Sequence, residues 1–239
     1  MDETEARRDL AAALRWACRL DMHEGVANHF SLALDDEGQR FLMNPAGKYW
    51  SRIKASDLIL LDARETPEGI GARVDPTAWA IHGALHRAHP HARCVIHLHP
   101  PYATALAALK DPTLPPIDQT TMRFFNRVSI DMGFDGMGLG DEAERLAGAL
   151  GNRQVMMMAQ HGVLTTGRNV AEALDLIYYY ERGARTYITA LQTGRPLNIA
   201  PAEVAEKTAE QWAEYPEGPE LHLAAIREVL DAEAPEYAH

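Results

Sequence analysis

Between residues 4 and 20, apolar Leu10, Ala13, Leu14 and Ala17 recur at helical spacing behind an acidic first turn, which predicts a helix. Two short apolar runs follow, over 28–34 and 40–43, split by Asp35-Asp36-Glu37-Gly38; that is a hairpin pattern. Asn44-Pro45-Ala46-Gly47 is loop chemistry, and 56–62 reads as a third strand. The helical period returns over 77–89, where Pro90 ends it. Residues 92–97 form a buried-strand pattern that runs into His99-Pro100-Pro101, and a helix over 102–109 starts behind those prolines. A strand-like piece near 127–131 lies in a Pro- and Gly-bearing segment, followed by a helix over 141–150. Strands over 154–159 and 162–166 flank His161. Asn169 caps the longest helix, which runs to about Gln192 and ends at Gly194-Arg195-Pro196. Two further helices, over 201–215 and 219–232, precede last residues that are expected to fray. Strands alternating with helices after one early hairpin predict the α/β class, a layered domain on a mixed sheet.

Length and composition narrow this. A chain of 239 residues suits one sizeable core, and 46% hydrophobic with 24% charged residues excludes wholesale disorder. No apolar run approaches the roughly 18 residues that span a bilayer, and the charged, amphipathic start is unlike a signal peptide. Two cysteines make no disulfide framework, so a reducing, cytoplasmic setting is expected. The net charge of −11 argues against nucleic-acid and anionic-membrane partners. Most of it sits after Ala200, where ten acids face two bases, a pattern expected of a solvated face.

Histidine carries the candidate chemistry. Six of the 11 fall between His82 and His99. In an extended chain His97 and His99 point the same way, and strand ends are where open α/β sheets place ligands. His161 also sits at a strand end, beside Gly162. Three neutral imidazoles with an open position describe a catalytic metal site, although the spacing alone equally describes a surface pair that binds nothing. His86, His89 and His91 are expected to be solvated, and His222 and His239 to lie on the surface. His82 is a lesser pocket candidate. His29 is a better one, with a hydrogen-bonded core histidine as its alternative. Cys94 lies at odd spacing from His97 and is expected to be a buried thiol.

Several ordered motifs resemble the class II aldolase/adducin superfamily: Asn28-His29-Phe30-Ser31, Asn44-Pro45-Ala46-Gly47 with Ala55-Ser56-Asp57-Leu58, Ile81-His82-Gly83-Ala84-Leu85-His86, Cys94-Val95-Ile96-His97-Leu98-His99, and Gln160-His161-Gly162-Val163-Leu164-Thr165-Thr166-Gly167. The resemblance spans about residues 5–215 and implies a 1–215 domain followed by an acidic helix and tail over 216–239. It implies a three-layer α/β/α sandwich with a central mixed sheet. It also implies a divalent ion, zinc first with manganese or iron as alternatives, held by His97, His99 and His161. A homotetramer with active sites at subunit interfaces is implied too.

The chain departs from the family pattern where sugar-phosphate aldolases and epimerases carry an acid/base carboxylate one turn before His82. Here that position is Ala78, and Asp75 is expected to face elsewhere. The phosphate-binding serines before it read Pro76 and Thr77, leaving Ala46, Gly47 and Thr77 as cradle remnants. A non-phosphorylated oxo- or hydroxy-acid is therefore expected, cleaved by decarboxylation or retro-aldol chemistry through a metal-stabilised enolate. Decarboxylation needs no initial base, and His29 is the expected proton donor. Asp118 and Gln119 fall near where family enzymes draw a catalytic group from a neighbouring subunit. Asn28 and Arg123 complete the expected substrate contacts. The competing readings are a non-catalytic, adducin-like interaction module and a metal-dependent oxygenase.

Overall fold

The computed structural model describes residues 2–65, 69, 71–134 and 141–239. Helix α1 (Glu3–Arg19) opens under an Asp2 cap whose carboxylate accepts from the Thr4 amide at 3.2 Å. It buries Leu10, Ala13, Leu14 and Ala17, the stripe that the pattern marks. Strands β1 (His29–Ala33) and β2 (Arg40–Met43) form the expected hairpin, and β3 (Ile59–Asp62) extends it. The third strand is shorter than its apolar run. Residues Ala55–Asp57 curl into a 3-10 turn because the Asp57 carboxylate accepts from the Lys54 amide at 2.7 Å, a local bond that competes with a ladder.

Helix α2 (Pro76–Ala88) leads to β4 (Cys94–Leu98), the short helix α3 (Pro101–Ala107) and the single turn α4 (Gln119–Met122). Strand β5 (Val128–Asp131), helix α5 (Glu142–Leu150), and strands β6 (Val155–Met158) and β7 (Gly162–Gly167) follow. Helix α6 (Val170–Gln192), capped by Asn169, precedes α7 (Ala202–Ala213) and α8 (Gly218–Glu233). The sheet runs β3-β2-β1-β4-β7-β6-β5, antiparallel throughout except for the parallel β5–β6 pair, so it is mixed.

Alternation along each strand sorts the residues into two covered faces. Phe30, Leu32, Cys94, Ile96 and Leu98 pack in one large cluster with residues of α1, α3, α6 and α8. Val95, Met156, Met158 and Leu164 pack on the other face against α2 and α5. The layers are thus helix, sheet, helix. Cys94 is fully buried on the face opposite His97, and burial raises its thiol pKa beyond reach of ordinary pH. Among the described residues no helix is long and apolar enough to cross a membrane.

The expectation of a frayed end is overturned. Residues Pro235–Ala238 form a 3-10 turn against α1, and the fully buried Tyr237 donates to Asp231 at 2.9 Å. An aromatic ring with that much apolar area anchors a segment whose composition alone reads as solvated.

Candidate metal centre and cavity

Strand pairing assembles the site. His29 on β1 stands directly across from His97 on β4, and their rings lie 4.9 Å apart between centroids. Just past the β4 end, His99 turns its ring toward His97, with the two Nε2 atoms 3.0 Å apart. His161 sits in the turn between β6 and β7, its ring centroid 4.7 Å from that of His97 and 4.9 Å from that of His99. The turn is tight: Gln160 adopts φ +60° and its amide donates to Ala107 O at 2.8 Å. Gly162 is required there, because a Cβ would stand 2.5 Å from the His99 ring and 2.6 Å from Leu98 O.

The nitrogen chemistry fits a cation. His97 Nδ1 donates to Val163 O at 3.2 Å, and His99 Nδ1 meets Glu24 Oε2 at 2.5 Å. Oxygens of a carbonyl and a carboxylate only accept, so both protons sit on Nδ1 and both Nε2 atoms offer lone pairs. At 3.0 Å the two Nε2 atoms need a proton or a metal ion between them. One ring nitrogen from each of His97, His99 and His161 lies within 4.8 Å of the other two, the spread that a divalent ion spans. Burial, then His29 and the other ligands, keeps His97 neutral, its pKa well below the usual value. Burial and His99 bring His161 down to about 4.

Beside the triad lies a cavity of about 650 Å³, within the size range of small-molecule sites. Asn28, His29, Ala46, Gly47 and Thr77, all named from the sequence, line it with the three metal candidates. Asn28 is backbone-strained at φ +71°; its Oδ1 accepts from the Glu24 amide, and its buried Nδ2 has no partner. Asp75 also lines the cavity, contrary to the expectation that it faces elsewhere. As N-cap of α2 its Oδ1 accepts from the Thr77 amide, the Thr77 hydroxyl and the Ala78 amide. Burial raises its pKa, but those bonds outweigh it and the net shift is downward. Ala78 is absent from the wall; it is fully buried among Ala33, Phe41, Met43, Leu61 and Val74.

The remaining sequence candidates lie elsewhere in this chain. Asp118 caps α4 by accepting from the Thr121 amide, and the Gln119 carbonyl accepts from the Trp212 indole. Arg123 pairs with Asp175 at 2.7 Å and stacks over Tyr179 and Trp212. It borders a second cavity of about 330 Å³ that shares no lining residue with the first. Within one chain Arg123 therefore reaches no ligand beside the triad.

The sequence pattern of the family described as Class II Aldolase and Adducin N-terminal domain matches residues 8–188. The chain belongs to this family. It is 32% identical over 227 residues to Decarboxylase NovR of Streptomyces niveus, covering 90% of this chain and 82% of the relative. It is 31% identical over 208 residues to a 4-hydroxy-3-prenylphenylpyruvate oxygenase/4-hydroxy-3-prenylbenzoate synthase of Streptomyces roseochromogenus subsp. oscitans, covering 86% of this chain and 74% of the relative. An aldolase II superfamily protein from Pseudomonas syringae superposes with a TM-score of 0.90 at 31% identity, over 99% of this chain and 96% of that one.

In this aldolase/adducin chain, packing gives several residues roles that the sequence does not show. His86, expected to be solvated, is only 4% exposed; it and the fully buried His82 reach Ser31 on β1. Burial brings His86 down to about 4, and burial together with His29 drives His82 well below its usual value. Burial brings His29 to about 4 as well. Glu181 on α6 accepts from the Tyr102 and Ala103 amides at 2.9 and 2.7 Å, fixing the start of α3 just beyond His99. Burial raises it to about 7. The two-residue strand period and the four-residue helix period of these histidines are legible in the sequence, but not the packing that brings them together.

Proposed function

We propose that this chain is a divalent-metal-dependent carbon–carbon lyase acting on a small, non-phosphorylated oxo- or hydroxy-acid. The observation that carries this reading is the convergence of ring nitrogens from His97, His99 and His161 beside an open cavity, with the Nδ1 atoms of His97 and His99 turned to a carbonyl and a carboxylate. Zinc is the first choice, with manganese or iron(II) as alternatives. When bound, the ion supplies a Lewis acid for the oxygens of the acid and for charge developing on cleavage. His97, His99 and His161 would hold it. The unpartnered Nδ2 of Asn28 and the Ala46-Gly47 turn orient the organic part, with Thr77 at the cavity edge. His29 moves a proton.

The absence of a phosphate from the substrate has its own support. Among the described lining residues there is no Lys or Arg, while Glu24, Asp75 and Glu142 line the same wall. A phosphate dianion would meet carboxylates and no cationic side chain. Asp118, Gln119 and Arg123 belong to this reading only if a neighbouring subunit in a homotetramer presents them.

The named decarboxylase relative supports cleavage with loss of CO₂, while the family name supports retro-aldol chemistry. The oxygenase-named relative favours a second reading, an iron-dependent oxygenase on the same triad. One experiment separates them. The zinc-, manganese- and iron-loaded chain is screened on oxo- and hydroxy-acids for release of CO₂ or aldehyde and for oxygen uptake, with chelated protein as control. Metal-dependent release without oxygen uptake is expected. Oxygen uptake confined to the iron form would favour the oxygenase, and a chain that retains no ion would leave the adducin-like interaction module.

A further inference from the structure

A single file of hydrogen bonds runs from the cavity wall into the core. His29 Nδ1 lies 2.7 Å from His82 Nε2, and His82 Nδ1 lies 2.5 Å from Ser31 Oγ. Ser31 Oγ lies 2.7 Å from His86 Nε2, and His86 Nδ1 lies 2.6 Å from Ala92 O. Geometry makes this possible because Ser31 follows His29 by two on β1, while His86 follows His82 by one turn on α2. Ser31 and His82 are fully buried, so no solvent donor or acceptor can interrupt the middle of the file.

The direction of the file follows from its inner end. A carbonyl oxygen only accepts, so the proton between His86 and Ala92 sits on His86 Nδ1. Neutral His86 then has a bare Nε2, which takes the Ser31 hydroxyl proton. Ser31 Oγ in turn accepts from His82 Nδ1–H, leaving His82 Nε2 bare to accept from His29 Nδ1–H. The reverse order would set the His86 Nδ1 lone pair against the Ala92 carbonyl at 2.6 Å, acceptor against acceptor. Among the described residues His29 Nε2 has no hydrogen-bond partner and is not one of the buried unpaired atoms, so it opens on the cavity that the ring lines.

We infer that Ser31, His82 and His86 are positioning residues that hold neutral His29 as its Nδ1–H tautomer, presenting a bare Nε2 to the substrate as a base in place of the carboxylate missing at Ala78. The inference deepens the lyase reading and rests on it for its chemistry, though not for the tautomer itself. The carboxylates of the wall are poor bases: three donors already stabilise the charge of Asp75, Glu24 is engaged by His99, and Glu142 is paired with Arg145. The sequence suggests a donor; the file makes His29 an acceptor first and a donor second.

That order suits a substrate bearing a hydroxyl β to a carbonyl. His29 Nε2 takes the hydroxyl proton, and the oxygen's electron pair forms the aldehyde carbonyl. The carbon–carbon bond breaks, its electrons passing to the neighbouring carbonyl as an enolate. Nε2–H then returns the same proton to the enolate carbon, so no further donor is needed.

The test reads the ring nitrogens directly. In the zinc-loaded, ¹⁵N-histidine-labelled chain, long-range ¹H–¹⁵N spectra are expected to show Nδ1–H tautomers for His29, His82 and His86. Ser31→Ala is expected to abolish that preference at His82 and His29 while leaving His86 on Ala92 O. On a β-hydroxy-oxo acid that the chain cleaves, it should lower kcat about 100-fold with KM and bound zinc unchanged, the lower end of the range assigned to general acid–base catalysis. Ser31→Thr, which restores a hydroxyl, should rescue both. A protonated His29 Nε2 in the unaltered chain would overturn the inference, as would Ser31→Ala with unchanged His29 resonances. The unaltered spectrum decides even if the alanine variant does not fold. The spectrum of metal-free protein decides if zinc fails to bind, an outcome that would count against the lyase reading instead.

Discussion

His99 is gripped from two sides: its Nδ1 by Glu24, its ring by the space that Gly162 leaves open. His99→Ala should remove bound metal and activity while leaving the far-UV spectrum nearly unchanged; retained activity would contradict the triad. Glu24→Gln keeps the shape but weakens the acceptor, and should lower metal affinity 10- to 100-fold in a competition titration with a chelator. Gly162→Ala forces a methyl against backbone and ring, and should cost about 1–3 kcal/mol by urea denaturation. At this scale the triad is legible in the sequence, because His-Leu-His at a strand end and His-Gly at a turn are local patterns. The file through Ser31, His82 and His86 is not, because it exists only once β1 and α2 pack. A residue such as His86, next to Arg87 and a helix end, reads as solvated until the layer above it is known.

At the scale of elements, the start of α3 sits on Glu181, whose carboxylate takes two backbone amides. Glu181→Ala leaves those donors without a partner and should cost about 1–3 kcal/mol. The measurement is the shift of the urea midpoint, and an unchanged midpoint would mean that water replaces the carboxylate. Helices α1, α2 and α6 were readable because period and caps agree. The start of β3 was not, since the Asp57 bond to Lys54 redirects an apolar run that looks like strand throughout.

For the whole molecule, buried neutral histidines set the response to acid. His86 is held at about 4, below its ordinary 6.5, by burial, so the unfolded chain takes up a proton before the folded one does. Its stabilisation is complete above pH 6.5 and disappears as the pH falls toward 4, a loss on the order of 3 kcal/mol, with His82 adding in the same direction. A urea midpoint equal at pH 7 and pH 5 would contradict this. The buried Tyr237, invisible in an acidic terminal sequence, should cost about 3 kcal/mol on replacement by alanine. One consequence of the triad reaches beyond catalysis. His99 and His161 lie 62 positions apart, and only the paired strands bring them face to face. An ion that needs all three rings favours the native chain by mass action, so the melting temperature should climb with free zinc. A hundredfold excess over Kd is worth about 2.7 kcal/mol.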